Sequence, residues 1–497
     1  MSTAASDFDV LIVGAGISGI SMAAHLEMMC PDRSYTIVER RENLGGTWDL
    51  FRYPGIRSDS DMHTLGFSFE PWKHEKSIAD APAILDYLDR IVDERDIRRH
   101  IRFDHKVVAA DFRHEDARWH VTVEQDGRRH ELTANWIFFG AGYYDYDNPY
   151  DAGFDLSDFQ GEVVHPQFWP EDLDYTGKNV VVVGSGATAV TIVPAMSDKA
   201  AKITMLQRTP TWMWARPAKD GFANFLRKVL PEEVAYRITR WKNVFMQDIS
   251  YKKARTEPEK VKSALKKKIE GLLGEDYNEA DFTPPYNPWE QRLCLVPDDD
   301  LFVAMKQGKA EVVTAHIDSF VADGVKLDNG TLLPADIIVT ATGLNLAFAG
   351  KVACSIEGEP IDFSEHFYYK GCMFSNVPNL GHTFGYLNAS WTLRADINSE
   401  YVCKLLNTMS EKGAEIATPV LTEAQEALLE EDELFDFFSS GYLKRGRNVM
   451  AKSAVGLPWR LNQDYRQDRR DLQTAPIADG ILTFENAHGE ARREAAE

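Results

Sequence analysis

The stretch FDVLIVGAGISGISMAAHL, Phe8 to Leu26, decides how the chain begins. Val10 to Val13 read as a buried strand and the residues from Ile17 onward as a helix, with glycines between. Gly14, Gly16 and Gly19 fill the spacing G-x-G-x-x-G. The first glycine allows a tight turn, the second admits a pyrophosphate to the backbone, and the third lets helix and strand pack closely. The free N–H groups of the helix start, around Ser18, and the helix dipole favour that phosphate. A second strand, SYTIVE, ends on Glu39, twenty residues after Gly19, where a carboxylate can accept from ribose hydroxyls. A glycine turn alone is a weak signal; with strand, helix, second strand and acid it defines a dinucleotide-binding unit.

The pattern occurs twice. KNVVVVGSGATAVTIVPAM carries Gly184, Ser185, Gly186, Ala187, Thr188, Ala189 and Val190, with alanine in the third glycine position. Its second strand, KITMLQR, ends on Gln207 and Arg208, followed by Thr209, rather than on an acid. An acid accepts from a free 2′-hydroxyl and repels a 2′-phosphate, whereas an arginine does the reverse. The pair therefore points to a non-phosphorylated dinucleotide such as FAD at the first turn and NADPH at the second. A surface arginine without a ligand is the alternative at Arg208. Two such motifs imply a flavoprotein that takes hydride from a nicotinamide cofactor and passes electrons onward.

Composition narrows the acceptor. The 497 residues exceed one core, so two or three domains are expected. Hydrophobic residues at 44% and aromatics at 11% fit a packed globular protein, and a net charge of −22 argues against nucleic-acid binding. Cys30, Cys294, Cys354, Cys372 and Cys403 are scattered and form no CxxC, which argues against a disulfide framework or a local dithiol reductase. Histidines show no metal-ligand spacing. Neither a leader peptide nor an apolar run of membrane-spanning length is apparent, so a cytoplasmic location is expected. Electron acceptors then include dioxygen, quinones and metals.

The expected architecture is α/β, with two Rossmann-like dinucleotide-binding domains and a helical insertion. The first domain covers residues 1–146, closed by the strand in NWIFFGAGYY. The second starts at 147, is interrupted at 217–285, and resumes over 286–331; 332–497 return to the first domain and cap the cleft. Within the insertion Val234, Ile238, Trp241 and Phe245 recur at helical spacing, and Lys262 to Lys268 is locally basic. A solvated helix face fits that run, as does contact with acidic lipid or a cofactor phosphate. The strand in DIIVTATGLN is expected to return the chain to the first domain, and after Gln473 the chain runs out towards AHGEARREAAE, which is expected to fray.

Two longer stretches carry a family resemblance. FQGEVVHPQFWP, Phe159 to Pro170, fits FxGxxxHxxxWP, and GGTWDLFRYPGIRSD, Gly45 to Asp59, fits GGxWxxxxYPGxxxD. With TATGL at Thr340 to Leu344, these resemble the signatures of type I Baeyer–Villiger monooxygenases along nearly the whole chain. NPWEQRLCLVP and YLNASWTL look most similar to the bacterial branch that activates ethionamide. Flavin N-oxygenating monooxygenases share the glycine motifs and a similar FxGxxxH, usually without the Trp-Pro ending or the upstream signature.

The resemblance implies an NADPH- and dioxygen-dependent enzyme. In it, reduced FAD adds dioxygen at C4a, and the peroxyflavin attacks an apolar ketone to give an ester or lactone, with oxidation of sulfur compounds as side activity. It implies that Arg292 holds the peroxide anion and that Asp59 pairs with Arg292, although Asp59 or Asp61 would also serve as a helix N-cap. Gly46, Thr47, Trp48, Asp49 and Leu50 would line the flavin, Val107 would meet the adenine, and Arg57 and Ser58 would face the nicotinamide. Gln291 stands where many relatives carry lysine, which leaves Arg208 and Thr209 with most of the NADPH discrimination. In the fingerprint, Pro166 and Pro170 bias His165 and Trp169 away from helix. Gly161 would permit a turn, Phe159 opens the motif, and His165 reads as a hinge between domains rather than a base. Oligomeric state is not legible.

Overall fold

The computed structural model describes residues 7–432 and 441–487. Two parallel-centred sheets organise them. In the first, Phe8–Val13 lies between Tyr35–Val38 and Arg128–Phe139, parallel to both. Covered on both faces from Val10 to Val13, it is apolar there without interruption: Val10 and Ile12 enter one core, Leu11 and Val13 the other. Lys106–Arg113, Arg118–Gln125 and Arg128–Phe139 continue it as an antiparallel meander. Ala353–Ile356 and Glu359–Pro360 extend that edge, Ile101–Arg102 the opposite one, and Leu380–His382 pairs on Arg128–Phe139.

The second sheet has five parallel strands in the order Ala310–Thr314, Lys202–Gln207, Asn179–Val183, Ile337–Thr340, Glu162–Val164. Val180 and Val182 face one core and Val181 and Val183 another. The strand Ile337–Thr340 thus belongs here and not to the first domain. The expected return at 332 is corrected accordingly: the chain re-enters the first sheet only at Ala353–Ile356. The physical reason is that Val180 to Val183 need an apolar partner strand on that side, which Ile337 to Val339, all buried, supply.

Between these two passes lie the helices Gly221–Val229, Glu232–Thr256 and Pro258–Leu273. The long middle helix packs on the first domain. Its buried Arg240 donates to the carbonyls of His63, Thr64 and Gly66 and pairs with Asp396 at 3.3 Å. After Gln473 the chain still pairs, Leu482–Glu485 running antiparallel to Ile416–Pro419; of AHGEARREAAE, residues 488–497 lie outside the described residues. All five cysteines are buried and free. Among the described residues no helix is long and apolar enough to cross a membrane, and no three metal-ligating side chains cluster.

Candidate active site

A cleft partly open to solvent runs along the carboxyl ends of the first sheet's strands and reaches Ala187 and Thr188, directly after the second pair of turn glycines. Gly14, Gly16, Ser18, Glu39, Gly46, Thr47, Trp48 and Val107 line one part, Ala187 and Thr188 another, and Arg57, Ser58, Asp59 and Arg292 also contribute. This is where ligands bind in open α/β sheets. Glu39 is buried; its carboxylate accepts from the N–H of Ala15 at 2.7 Å and of Arg41 at 2.9 Å. Burial pushes its pKa above the ordinary carboxylate range. Two N–H donors leave lone pairs for hydroxyl groups.

The segment from Gly45 to Asp59 ties the site together. A Cβ on Gly46 would lie 3.1 Å from the Gly16 Cα, so its start lies against the first turn. Gly55, at φ +75, approaches the helix Ala187–Met196 so closely that a Cβ would meet Ala195 at 2.5 Å and the Thr191 carbonyl at 3.1 Å. Tyr53 bonds Thr188 on that helix, and burial pushes its phenol up to about 12. At the end, the Asp59 carboxylate pairs with Arg292, an oxygen lying 3.0 Å from Nε. The helix cap is Asp61, which accepts from the His63 N–H and from Asn243, so Asp59 is left to the arginine. Arg57 pairs with Asp300, at the start of a helix of the second domain, and the Ser58 hydroxyl donates to the Ser60 carbonyl.

Several expected residues do not face the cleft. Asp49 is buried between the guanidinium groups of Arg41 and Arg52, which draw its carboxylate away, and Leu50 faces a side cavity with Tyr146 and Trp169. Gly19 is a packing residue, since a Cβ there would lie 1.9 Å from the Gly14 carbonyl oxygen. Gly184, Ser185 and Gly186 form the turn just outside the cleft wall, and Ala189 and Val190 are buried in the second core. The Ser185 hydroxyl donates to the Thr209 carbonyl at 3.0 Å. Arg208 is exposed at the strand end, with no hydrogen bond or ion pair among the described residues.

In the fingerprint Phe159 is core, and Trp169 packs against the second core. Gly161 answers a close approach rather than a turn, because a Cβ would meet the Asp336 carbonyl at 2.4 Å. His165 and Trp169 are extended, as residues before proline should be. His165 Nδ1 accepts from the Gln167 N–H at 3.1 Å, and burial lowers its pKa, so it caps the turn as a neutral ring.

An aromatic wall closes one side of the cleft. Trp391 donates to the Ser18 hydroxyl at 2.7 Å and stacks on Tyr143, whose hydroxyl meets that of Tyr144 at 2.9 Å. Both tyrosines sit in the quoted NWIFFGAGYY, directly after the strand's glycines, and Trp391 in the quoted YLNASWTL, where Leu387 to Trp391 are the expected pocket wall.

A walled glycine cradle, a buried acid with spare lone pairs and an unengaged arginine beside a second turn fit two dinucleotides, one of them carrying a 2′-phosphate. The chain matches the flavin-binding monooxygenase-like family over residues 8–357 and belongs to it. It is 49% identical over 479 residues to the FAD-containing monooxygenase EthA of Mycobacterium tuberculosis, covering 96% of this chain and 97% of that one. A probable FAD-binding monooxygenase, AlmA of Acinetobacter baylyi, is 46% identical over 96% of each chain. Among solved structures, an oxidised steroid monooxygenase bound to NADP superposes with a TM-score of 0.77 at 22% identity, over 96% of this chain and 99% of its own. A cyclohexanone monooxygenase bound to epsilon-caprolactone does so at 0.73 and 19%, over 96% and 99%. These last two establish the shared fold.

Proposed function

We propose that the chain is an NADPH- and dioxygen-dependent monooxygenase that holds FAD at the first turn, converts apolar ketones to esters or lactones, and oxidises sulfur compounds as a side activity. The observation that carries this reading is the Arg292–Asp59 pair at 3.0 Å on the wall of the cleft that reaches both turns. A flavin bound there and reduced by NADPH would supply the activated oxygen. Arg292, a permanent cation, stabilises negative charge on that oxygen, and Asp59 fixes the guanidinium through Nε. Tyr143, Tyr144 and Trp391 exclude water from one wall. Glu39 takes the ribose hydroxyls of the flavin nucleotide, and Arg208 with Thr209 the 2′-phosphate of NADPH. Val107 lies at the adenine end, Arg57 and Ser58 at the nicotinamide side.

The test is to incubate holoenzyme with NADPH, dioxygen and separate panels of aliphatic and aryl ketones, sulfides and amines, and to identify products by mass. Esters or lactones are expected, and Arg292→Ala should keep flavin reduction by NADPH while losing them. N-oxides without any ester would replace this reading with an amine oxygenase, and hydrogen peroxide as sole product with a reductase.

A further inference from the structure

The helical insertion leaves one apolar face uncovered. On the helix Gly221–Val229 it consists of Phe222, Phe225 and Val229, and on Glu232–Thr256 of Val234, Ile238 and Trp241, each set at helical spacing. All six are exposed, Trp241 to 65%, Phe225 to 59% and Val229 to 58%. Exposed apolar residues normally occur singly; a stripe across two packed helices is a docking surface. It is also firmly held, since Leu226 beside the first set and Tyr236 and Arg240 opposite the second are buried.

Charge identifies the occupant. The chain carries −22 overall, yet residues 217–273 hold fourteen lysines and arginines against seven acids. Arg237 flanks the stripe, is exposed, and has no ion pair among the described residues. Lys242 flanks the other side, with its ammonium 4.6 Å from the centre of the Phe222 ring and 3.0 Å from the Asp220 carboxylate, so Arg237 is the uncompensated cation of the two. A second copy meeting this face about a twofold axis would set basic groups against basic groups. A bilayer of anionic lipid offers apolar depth to the phenylalanines and tryptophan and phosphates to the cations.

We propose that this face docks peripherally on an anionic lipid surface, with Phe225 and Trp241 inserted among the headgroups. No helix among the described residues spans a bilayer, so attachment is reversible. The docked helix also lines, through Val244 and Tyr251, a side cavity that meets the main cleft at Ala389. An apolar substrate leaving the lipid would enter beside it. That consequence rests on the monooxygenase reading; the docking itself does not.

The test is co-sedimentation of holoenzyme with vesicles of phosphatidylcholine alone or mixed with phosphatidylglycerol. Binding on the order of tenfold tighter to the mixed vesicles, weakened by salt, is expected. The double variant Phe225→Glu/Trp241→Glu should lower binding about tenfold or more with flavin content and NADPH oxidation unchanged. Arg237→Glu should lower it only on the anionic vesicles. Equal affinity for both vesicle types, or undiminished binding by the double variant, overturns the proposal. So does a double variant that splits an oligomer in light scattering while vesicle binding stays the same, which would give the face to a second copy.

Discussion

The two glycine turns follow one pattern but are built differently. Around the first, Gly16 lies against Gly46 of the signature segment, Gly14 against Gly140, and Trp391 closes on Ser18. Around the second, Gly184 lies as tightly against Ala341, but a Cβ on Gly186 would meet nothing within 4 Å, and Arg208 stands in solvent. A walled site retains its ligand, whereas an open one with a single exposed cation exchanges it. On the proposed assignment, one sequence pattern thus serves a resident flavin and a nicotinamide that comes and goes; the surrounding chain makes the difference.

The sharpest way to break this comparison is a pair of alanine substitutions. Gly19→Ala drives a methyl into the Gly14 carbonyl, 1.9 Å away, and backbone cannot yield as a side chain can. We expect loss of nearly all bound flavin and a fall in stability of about 3 kcal/mol or more, read from the flavin absorbance of purified protein and from chemical denaturation. Gly186→Ala, at φ −76 and with open space, should fold and keep its flavin, and show only a raised KM for NADPH. Full flavin retention by Gly19→Ala would end the account of the first turn.

Next in size is the cation. Arg208→Ala should raise the KM for NADPH about 10- to 100-fold, the worth of one charge-assisted phosphate contact, and leave that for NADH nearly unchanged. Equal effects on both would mean that Arg208 is a surface residue.

Glu39 gives a smaller, pH-dependent effect. Burial raises its pKa above 4.5 in the ligand-free site. Ribose hydroxyls donate to the ionised form, so flavin binding favours the carboxylate. Affinity is therefore full above the raised pKa and is lost as pH falls through it. Flavin should dissociate in mild acid, above pH 4.5, followed by flavin fluorescence, and Glu39→Gln should flatten that dependence at the cost of about tenfold in affinity. An unchanged acid release in Glu39→Gln would remove this carboxylate from the site.

Much of this was legible in the chain because backbone demands leave local marks. Both glycine turns, both strand-end residues and the double apolar alternation of fully covered strands follow from spacing alone. The link between Asp59 and Arg292, 233 positions apart, was reachable only by resemblance, since no local pattern encodes a contact between domains. Asp49 rests on the resemblance alone, and no local pattern shows that two guanidinium groups nearby claim its carboxylate. The strand Ile337–Thr340 was assigned to the wrong sheet because a buried parallel strand is apolar wherever it sits, and its partners decide its place. Tyr143 and Trp391 meet across more than 240 positions, and neither residue type announces a cofactor wall.

The fingerprint FQGEVVHPQFWP sharpens the comparison by joining its two halves. Glu162–Val164 is the edge strand of the second sheet, while the Gln167 amide donates to the Asp145 carbonyl at 2.8 Å, at the exit of the first domain. His165 sits between, capping the turn Pro166–Phe168 through Nδ1. If the open site must move relative to the walled one during turnover, this turn transmits the movement. His165→Ala removes a cap worth about 1 kcal/mol and should slow kcat a few-fold and raise the KM for NADPH, with the range of accepted ketones unchanged. His165→Asn, whose amide oxygen can accept from the same N–H, should restore most of both. The neutral ring has no proton to take up over the working range, so the pH profile of kcat should keep its shape in either variant. A shifted profile would make His165 a proton carrier, and an altered ketone range with normal NADPH kinetics would place it against substrate instead of at the hinge.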